Sequence, residues 1–184
     1  MNLLILGVIL WILPHFFKRL MPEARARVGD KGKGPIALLL LVSIVLMVLG
    51  YRAADVIPVY APMAGMGHLN NLLMLVAIFL LGAGAGKGSL VDKIRHPMLW
   101  GAVVWGGAHL LVNGDLASII LFGGMVFWAL AQMVLINRAE GPWQKPAAGS
   151  LKGDIKNVVI TLVIYLVAVL IHLWLGYNPF QGSY

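Results

Sequence analysis

The chain contains no cysteine. That excludes disulfides, zinc–thiolate centres, iron–sulfur clusters and covalently attached c-type haem. A bound metal would have to rely on histidine, carboxylate, methionine, tyrosine or backbone oxygen. Charge is nearly as scarce. Only 11% of the 184 residues are Asp, Glu, Lys or Arg, against about a quarter in a soluble domain. A soluble globule, a disordered chain or a coiled coil would need far more. The acidic residues number 7, and none lies inside an apolar stretch. A proton pump or cation transporter would usually place carboxylates there. No internal repeat is evident, which argues against a transporter built of two matching halves. There is no Walker phosphate loop, HExxH, EF-hand, serine-hydrolase elbow or dinucleotide fingerprint. The run Gly82, Gly84, Gly86, Gly88 follows no strand; Gly82 and Gly86 have the small-xxx-small spacing of close helix packing.

What the chain has in excess is apolar surface, at 60% of residues. It falls into six stretches, at residues 2–17, 35–51, 71–86, 97–112, 116–136 and 158–177. A membrane-spanning helix takes about 20 apolar residues, and the shorter stretches are expected to extend into their flanks. The expected fold is all-α: a single-domain, polytopic integral membrane bundle of about six transmembrane helices. The first stretch has no positive n-region and no cleavage site, so it reads as an uncleaved helix. Of the 14 basic residues, 13 lie on the odd-numbered connections: six from Lys18 to Lys33, then Lys87, Lys93 and Arg95, then Arg138, Lys145, Lys152 and Lys156. Arg52 is the exception. The positive-inside rule then puts those connections in the cytoplasm and both termini in the periplasm. The net charge of +7 is thereby a membrane signal, and no nucleic-acid partner is expected. Asn113-Gly114-Asp115 reads as a tight hairpin. The segment 52–67 is expected to pack on the outer surface, and 138–156 to form a cytoplasmic loop. Trp143 and Trp174 read as interfacial anchors.

The polar residues within the stretches are chiefly histidines, and an ionisable group in a membrane is a functional candidate. His109 lies well inside the fourth stretch, with Trp105, Gly106 and Asn113 one turn away. It is either a ligand or a neutral ring bonded to a neighbouring helix. His15 follows Pro14 near the cytoplasmic end of the first stretch. Lys18 and Arg19, one turn on, would suit an acidic group such as a haem propionate. The alternative is an interfacial histidine among basic anchors. His96 precedes Pro97 at a natural helix start, which favours a structural role. His68 and His172 read as polar contacts near the outer face, with Tyr165 two turns before His172.

His15, Gly50-Tyr51-Arg52, Arg95-His96-Pro97-Met98-Leu99, Trp105, Ala108-His109-Leu110, the run Asn113 to Ser118, and Phe122-Gly123 together resemble the NnrU family of bacterial inner-membrane proteins. The resemblance covers nearly all of 1–184. It is best over residues 1–137 and weakest in the last helix, about 158–177. It implies an association with nitrite and nitric oxide reduction, hence redox or denitrification partner proteins. A related family, the 15-cis-ζ-carotene isomerases, uses haem b held by two histidines. By motif these correspond to His15 and His109, with His96 and Asn113 in support. The implied cofactor is haem b, and Lys18 and Arg19 are the implied propionate contacts. Depth alone favours a different pair, His109 with His172. His109 lies about 18 Å along its helix from Pro97, at about 1.5 Å per residue, whereas His15 reads as lying near the cytoplasmic boundary. Three functions stand side by side: a haem protein of nitrogen-oxide respiration, a haem-dependent cis–trans isomerase of a carotenoid-like polyene, and a cofactor-free transporter. Oligomeric state is left open.

Overall fold

The structure, a computed structural model, describes residues 1–84, 86 and 88–180. Lys87, one of the expected cytoplasmic charges, lies outside the described residues. Seven helices carry the described chain: α1 (Asn2–Leu20), α2 (Pro22–Val28), α3 (Lys33–Arg52), α4 (Met66–Ala83), α5 (Pro97–Val112), α6 (Leu116–Glu140) and α7 (Leu151–Trp174). Among the described residues there is no strand, only an isolated β-bridge between Pro58 and Asp115. Five segments are long and apolar enough to cross a membrane: α1, α4, α6, α7 and the run Pro22–Arg52 that ends in α3. The sixth apolar helix, α5, has 16 residues. At about 1.5 Å per residue it is about 24 Å long, slightly less than a bilayer core of about 30 Å.

The helices outrun the apolar stretches because capping residues lie in the polar flanks. Ser150 accepts from the Gly153 N–H and starts α7 at Leu151, seven residues before the apolar run at 158. Pro97 occupies the first turn of α5 with His96 as its N-cap. Pro22 likewise opens α2, a short helix that hydropathy did not separate from its connection.

Packing gives a simple neighbour order: α3, α1, α6, α5, α4, α7. The centre is α6, which packs on α1 and α5 from two sides. The buried cluster of Leu4, Val8, Met47, Ala102, Met125, Trp128 and Ala129 draws on α1, α3, α5 and α6. At the two ends of the order, α3 and α7 expose most of their large apolar side chains. In a bilayer those faces meet lipid rather than water. The last helix is fastened mainly near its start. Asn157 Nδ2 donates to the Phe79 carbonyl at 2.9 Å, and the Ser89 N–H donates to Asp154 Oδ1 at 2.8 Å.

Polar contacts also sort the connections. At one end, Arg19 pairs with Glu140 at 2.7 Å, and Arg95 donates to the Gly141 carbonyl at 2.9 Å. His96 Nε2 lies 2.8 Å from Asn137 Oδ1 at the same end. At the other end, the extended residues 57–60 lie along the Asn113-Gly114-Asp115 turn. There the Val59 and Tyr60 N–H groups donate to the Gly114 carbonyl, and the Leu116 N–H donates to Ile57. The connections rich in Lys and Arg therefore share one end of the bundle.

Helix association in lipid depends on close backbone approach, because lipid tails are as apolar as the side chains. A Cβ on Gly101 would lie 2.9 Å from the Ala77 carbonyl oxygen of α4, whereas one on Gly107, on the same helix, would meet nothing within 4 Å. Gly101→Ala is expected to cost about 1–3 kcal/mol through overpacking and to lower the melting temperature in detergent. Gly107→Ala should leave it unchanged. Equal shifts for the two would contradict the close α4–α5 contact.

Candidate functional site

Helix α1 continues through Pro14 and presents Trp11 and His15 on one face, one turn apart. His15 Nδ1 donates to the Trp11 carbonyl at 2.7 Å. A carbonyl can only accept, so Nδ1 carries the proton, and in the neutral ring Nε2 carries a lone pair. The two rings lie 4.5 Å apart, and Trp128 of α6 closes a triangle at 4.8 Å from His15 and 5.3 Å from Trp11.

Helix α5 repeats the arrangement. His109 Nδ1 donates to the Trp105 carbonyl at 2.9 Å, again four residues back, and the two rings lie 5.2 Å apart. Phe122 of α6 stacks on His109 with centroids 4.4 Å apart and an interplanar angle of 23°. Phe122 lies in a π-helical turn, Ile119–Gly123, within α6. Such a turn holds one more residue than an α-turn and re-aims the side chains on it. Gly106 lets α5 approach this turn: a Cβ there would lie 2.9 Å from the Phe122 carbonyl oxygen.

The two histidines thus rest on the same helix, His15 against Trp128 and His109 against Phe122. Their α6 partners, Trp128 and Phe122, are six residues apart, about 9 Å along the axis at about 1.5 Å per residue. His15 lies against the middle of α6 rather than at its basic end, so the two rings are closer in level than hydropathy placed them. The reason is that α1 runs on to Leu20 and meets the end of α6 through Arg19 and Glu140. Helices α1 and α5 both pack on α6 and make little contact with each other. Helix α6 is thus the floor on which both rings rest, through Trp128 and Phe122.

The other expected site residues are dispersed. Arg19 is engaged with Glu140, and Lys18 is exposed one turn beyond His15. Asn113 donates to the His109 carbonyl at 2.9 Å and closes the end of α5. His96 caps α5 and bonds Asn137, while His68 is exposed. His172 is exposed on α7, with Nδ1 tied to the Ala168 carbonyl at 2.7 Å. It belongs to a helix that packs on α4 rather than α6. Among the described residues no three His, Asp or Glu side chains come together as metal ligands.

Reading along the chain missed Trp11, Trp128 and Phe122 as partners of the histidines. One signal was present: Trp-x-x-x-His occurs twice, at Trp11–His15 and Trp105–His109. A polar chain at the end opposite the basic connections was missed as well. Asp115 caps α6 by accepting from the Ser118 N–H at 2.9 Å. The Ser118 hydroxyl donates to its other oxygen at 2.5 Å and receives the Tyr51 hydroxyl at 2.8 Å. Tyr60, on the loop outside the helices, donates to the Leu110 and Asn113 carbonyls. Burial pushes its phenol up from the ordinary tyrosine value, and the Asp115 charge pushes the same way. Tyr60 therefore remains a donor at neutral pH. Removing the cap with Asp115→Ala is expected to cost about 0.5–2 kcal/mol, read as a lower melting temperature. Asp115→Asn, which keeps a capping oxygen, should lose less; equal losses would argue against the cap.

No curated protein and no solved structure matches the chain. A family model described as NnrU protein matches residues 3–179. That span includes both Trp-x-x-x-His units, the α6 floor between them and the capped outer turn, and the chain belongs to the NnrU family.

Proposed function

We propose that this protein is a haem b protein of the bacterial inner membrane, with His15 and His109 as the axial ligands, and that it serves nitrite and nitric oxide reduction together with redox partner proteins. The observation that carries the reading is that both rings have Nδ1 tied to a carbonyl one turn back and both rest on aromatic side chains of α6, whereas His172, with the same Nδ1 bond, lies exposed on α7. Each Nδ1 is committed to a carbonyl one turn back, which leaves each Nε2 as a lone-pair donor with no hydrogen-bond partner among the described residues. Histidines that ligate metals ordinarily have their other nitrogen tied down in this way. The donor set suits a b-type haem, which two imidazoles can hold without any cysteine. The side chains around each ring are aromatic, Trp11 and Trp128 at His15 and Trp105 and Phe122 at His109, which suits a flat group held between helices of a bundle.

The chain's own part is to hold and orient. The i−4 hydrogen bonds set the ring tautomers, Trp11 and Trp128 wedge His15, and Phe122 lies flat against His109. Bound haem would supply one-electron chemistry, and the surrounding apolar helices would keep water from it. Positive-inside topology places the basic end in the cytoplasm and both termini in the periplasm. His172 is the weaker partner for His109, because it is exposed on a helix three places away from α6 in the neighbour order.

Purification after haem-replete expression tests the reading. The expected result is haem at a fixed ratio to protein, lost in His15→Ala and in His109→Ala and retained in His172→Ala. Loss in His172→Ala with retention in His15→Ala would transfer the ligand role to the other pair. A protein that carries no haem would overturn the proposal.

A further inference from the structure

Among the described residues six buried side-chain polar atoms lack a hydrogen-bond partner, and three of them belong to neighbouring side chains of α1 and α6. They are the indole N–H groups of Trp11 and Trp128 and the amide oxygen Oε1 of Gln132. Trp11 and Trp128 are in edge contact with each other and with His15. Gln132 lies one turn from Trp128 on α6, on the same face. Trp128 is only 8% exposed, so bulk water does not serve its N–H. A buried polar group left unpaired costs about 1–3 kcal/mol, and a bilayer offers no water to relieve it. Two donors left open on touching indoles, with an open acceptor one turn along α6, are complementary to a ligand that presents an acceptor oxygen and, in one of its redox forms, a donor hydroxyl.

We infer that this patch, formed by α1 and α6, binds the head group of a membrane quinone. The chemistry selects that class. The ligand must arrive through lipid, so its body is apolar. It must present an oxygen acceptor to the indole N–H groups, as a quinone carbonyl does. In reduced form the same oxygen becomes a hydroxyl, which can donate to Gln132 Oε1. Each redox form thus finds a partner. A lipid ester carbonyl would satisfy the indoles but has nothing to donate to Gln132. The ring centroids are 4.5–5.3 Å apart, a contact spacing that admits no further ring between them. The oxygen edge of the head group is therefore what enters, and Trp11, the more exposed indole, is the side chain that gives way. The inference goes beyond the haem reading and does not depend on it.

The test uses the full chain in nanodiscs of ether lipids, which carry no ester carbonyl, with a decyl-substituted benzoquinone as the probe. Saturable binding at one site is expected. Trp11→Phe with Trp128→Phe keeps the rings and removes both N–H donors, and should weaken binding of the oxidised probe about tenfold or more. Gln132→Leu should weaken the hydroquinone more than the quinone, a split that a general loss of packing would not produce. Circular dichroism and haem content are followed in every variant. Quinone binding without haem would leave this inference standing and remove the previous one; haem without saturable quinone binding would do the reverse. Unchanged affinity in the double Phe variant, or binding abolished when ester lipids are added back, would overturn the quinone site.

Discussion

Inside a bilayer there is no water to take up a stray donor or acceptor, so each polar group needs a partner within the chain or from a ligand. Most features of this protein follow from that constraint. The backbone meets it by being helical nearly throughout. The helix ends meet it with caps from Asp115 and Ser150. Asn157 meets it by reaching the Phe79 carbonyl, which docks an otherwise lipid-facing helix. The imidazoles meet it on one nitrogen only, through the carbonyl four residues back. What is left unsatisfied is therefore informative. The free Nε2 atoms of His15 and His109, and the unpaired atoms of Trp11, Trp128 and Gln132, all lie on helices that meet at α6.

Helix α6 gives those leftovers a common setting. It is the middle member of the neighbour order, and its π-turn and Trp128 provide the surfaces on which the two histidines rest. Because α1 and α5 both pack on it, a flat ligand held by both would bear on α6. Gly106 keeps α5 near the π-turn, and the Arg19–Glu140 contact ties the end of α1 to the end of α6. That ion pair is largely a positional device, since exposed pairs contribute little to stability.

Much of the architecture was legible in the residues. Apolar runs marked the helices, and the basic residues marked the connections that share one end. His96-Pro97 marked the start of α5, and Asn113-Gly114-Asp115 marked the hairpin. Boundaries were less legible. Hydropathy starts the last helix at 158, whereas the Ser150 cap starts it seven residues earlier, in a polar flank that hydropathy cannot see. The level of His15 along α6 was not legible either: it rests on Trp128, midway along that helix, a contact that the apolar run of α1 does not report. The aromatic partners were not legible, because the contact of Trp128 with His15 joins residues 113 positions apart, and no periodicity within one helix reports such a pairing. The repeated Trp-x-x-x-His spacing was the one local trace of the site.

The central claim is that His15 and His109 hold one iron through Nε2 atoms freed by the same backbone hydrogen bond. The spin state of the ferric protein tests it most directly. The account predicts a six-coordinate, low-spin spectrum in the wild type and a five-coordinate, high-spin spectrum in His15→Gly. Added imidazole should enter the space left by the ring and restore the low-spin form. A wild-type protein without a haem spectrum, or a His15→Gly spectrum identical to the wild type, would contradict it.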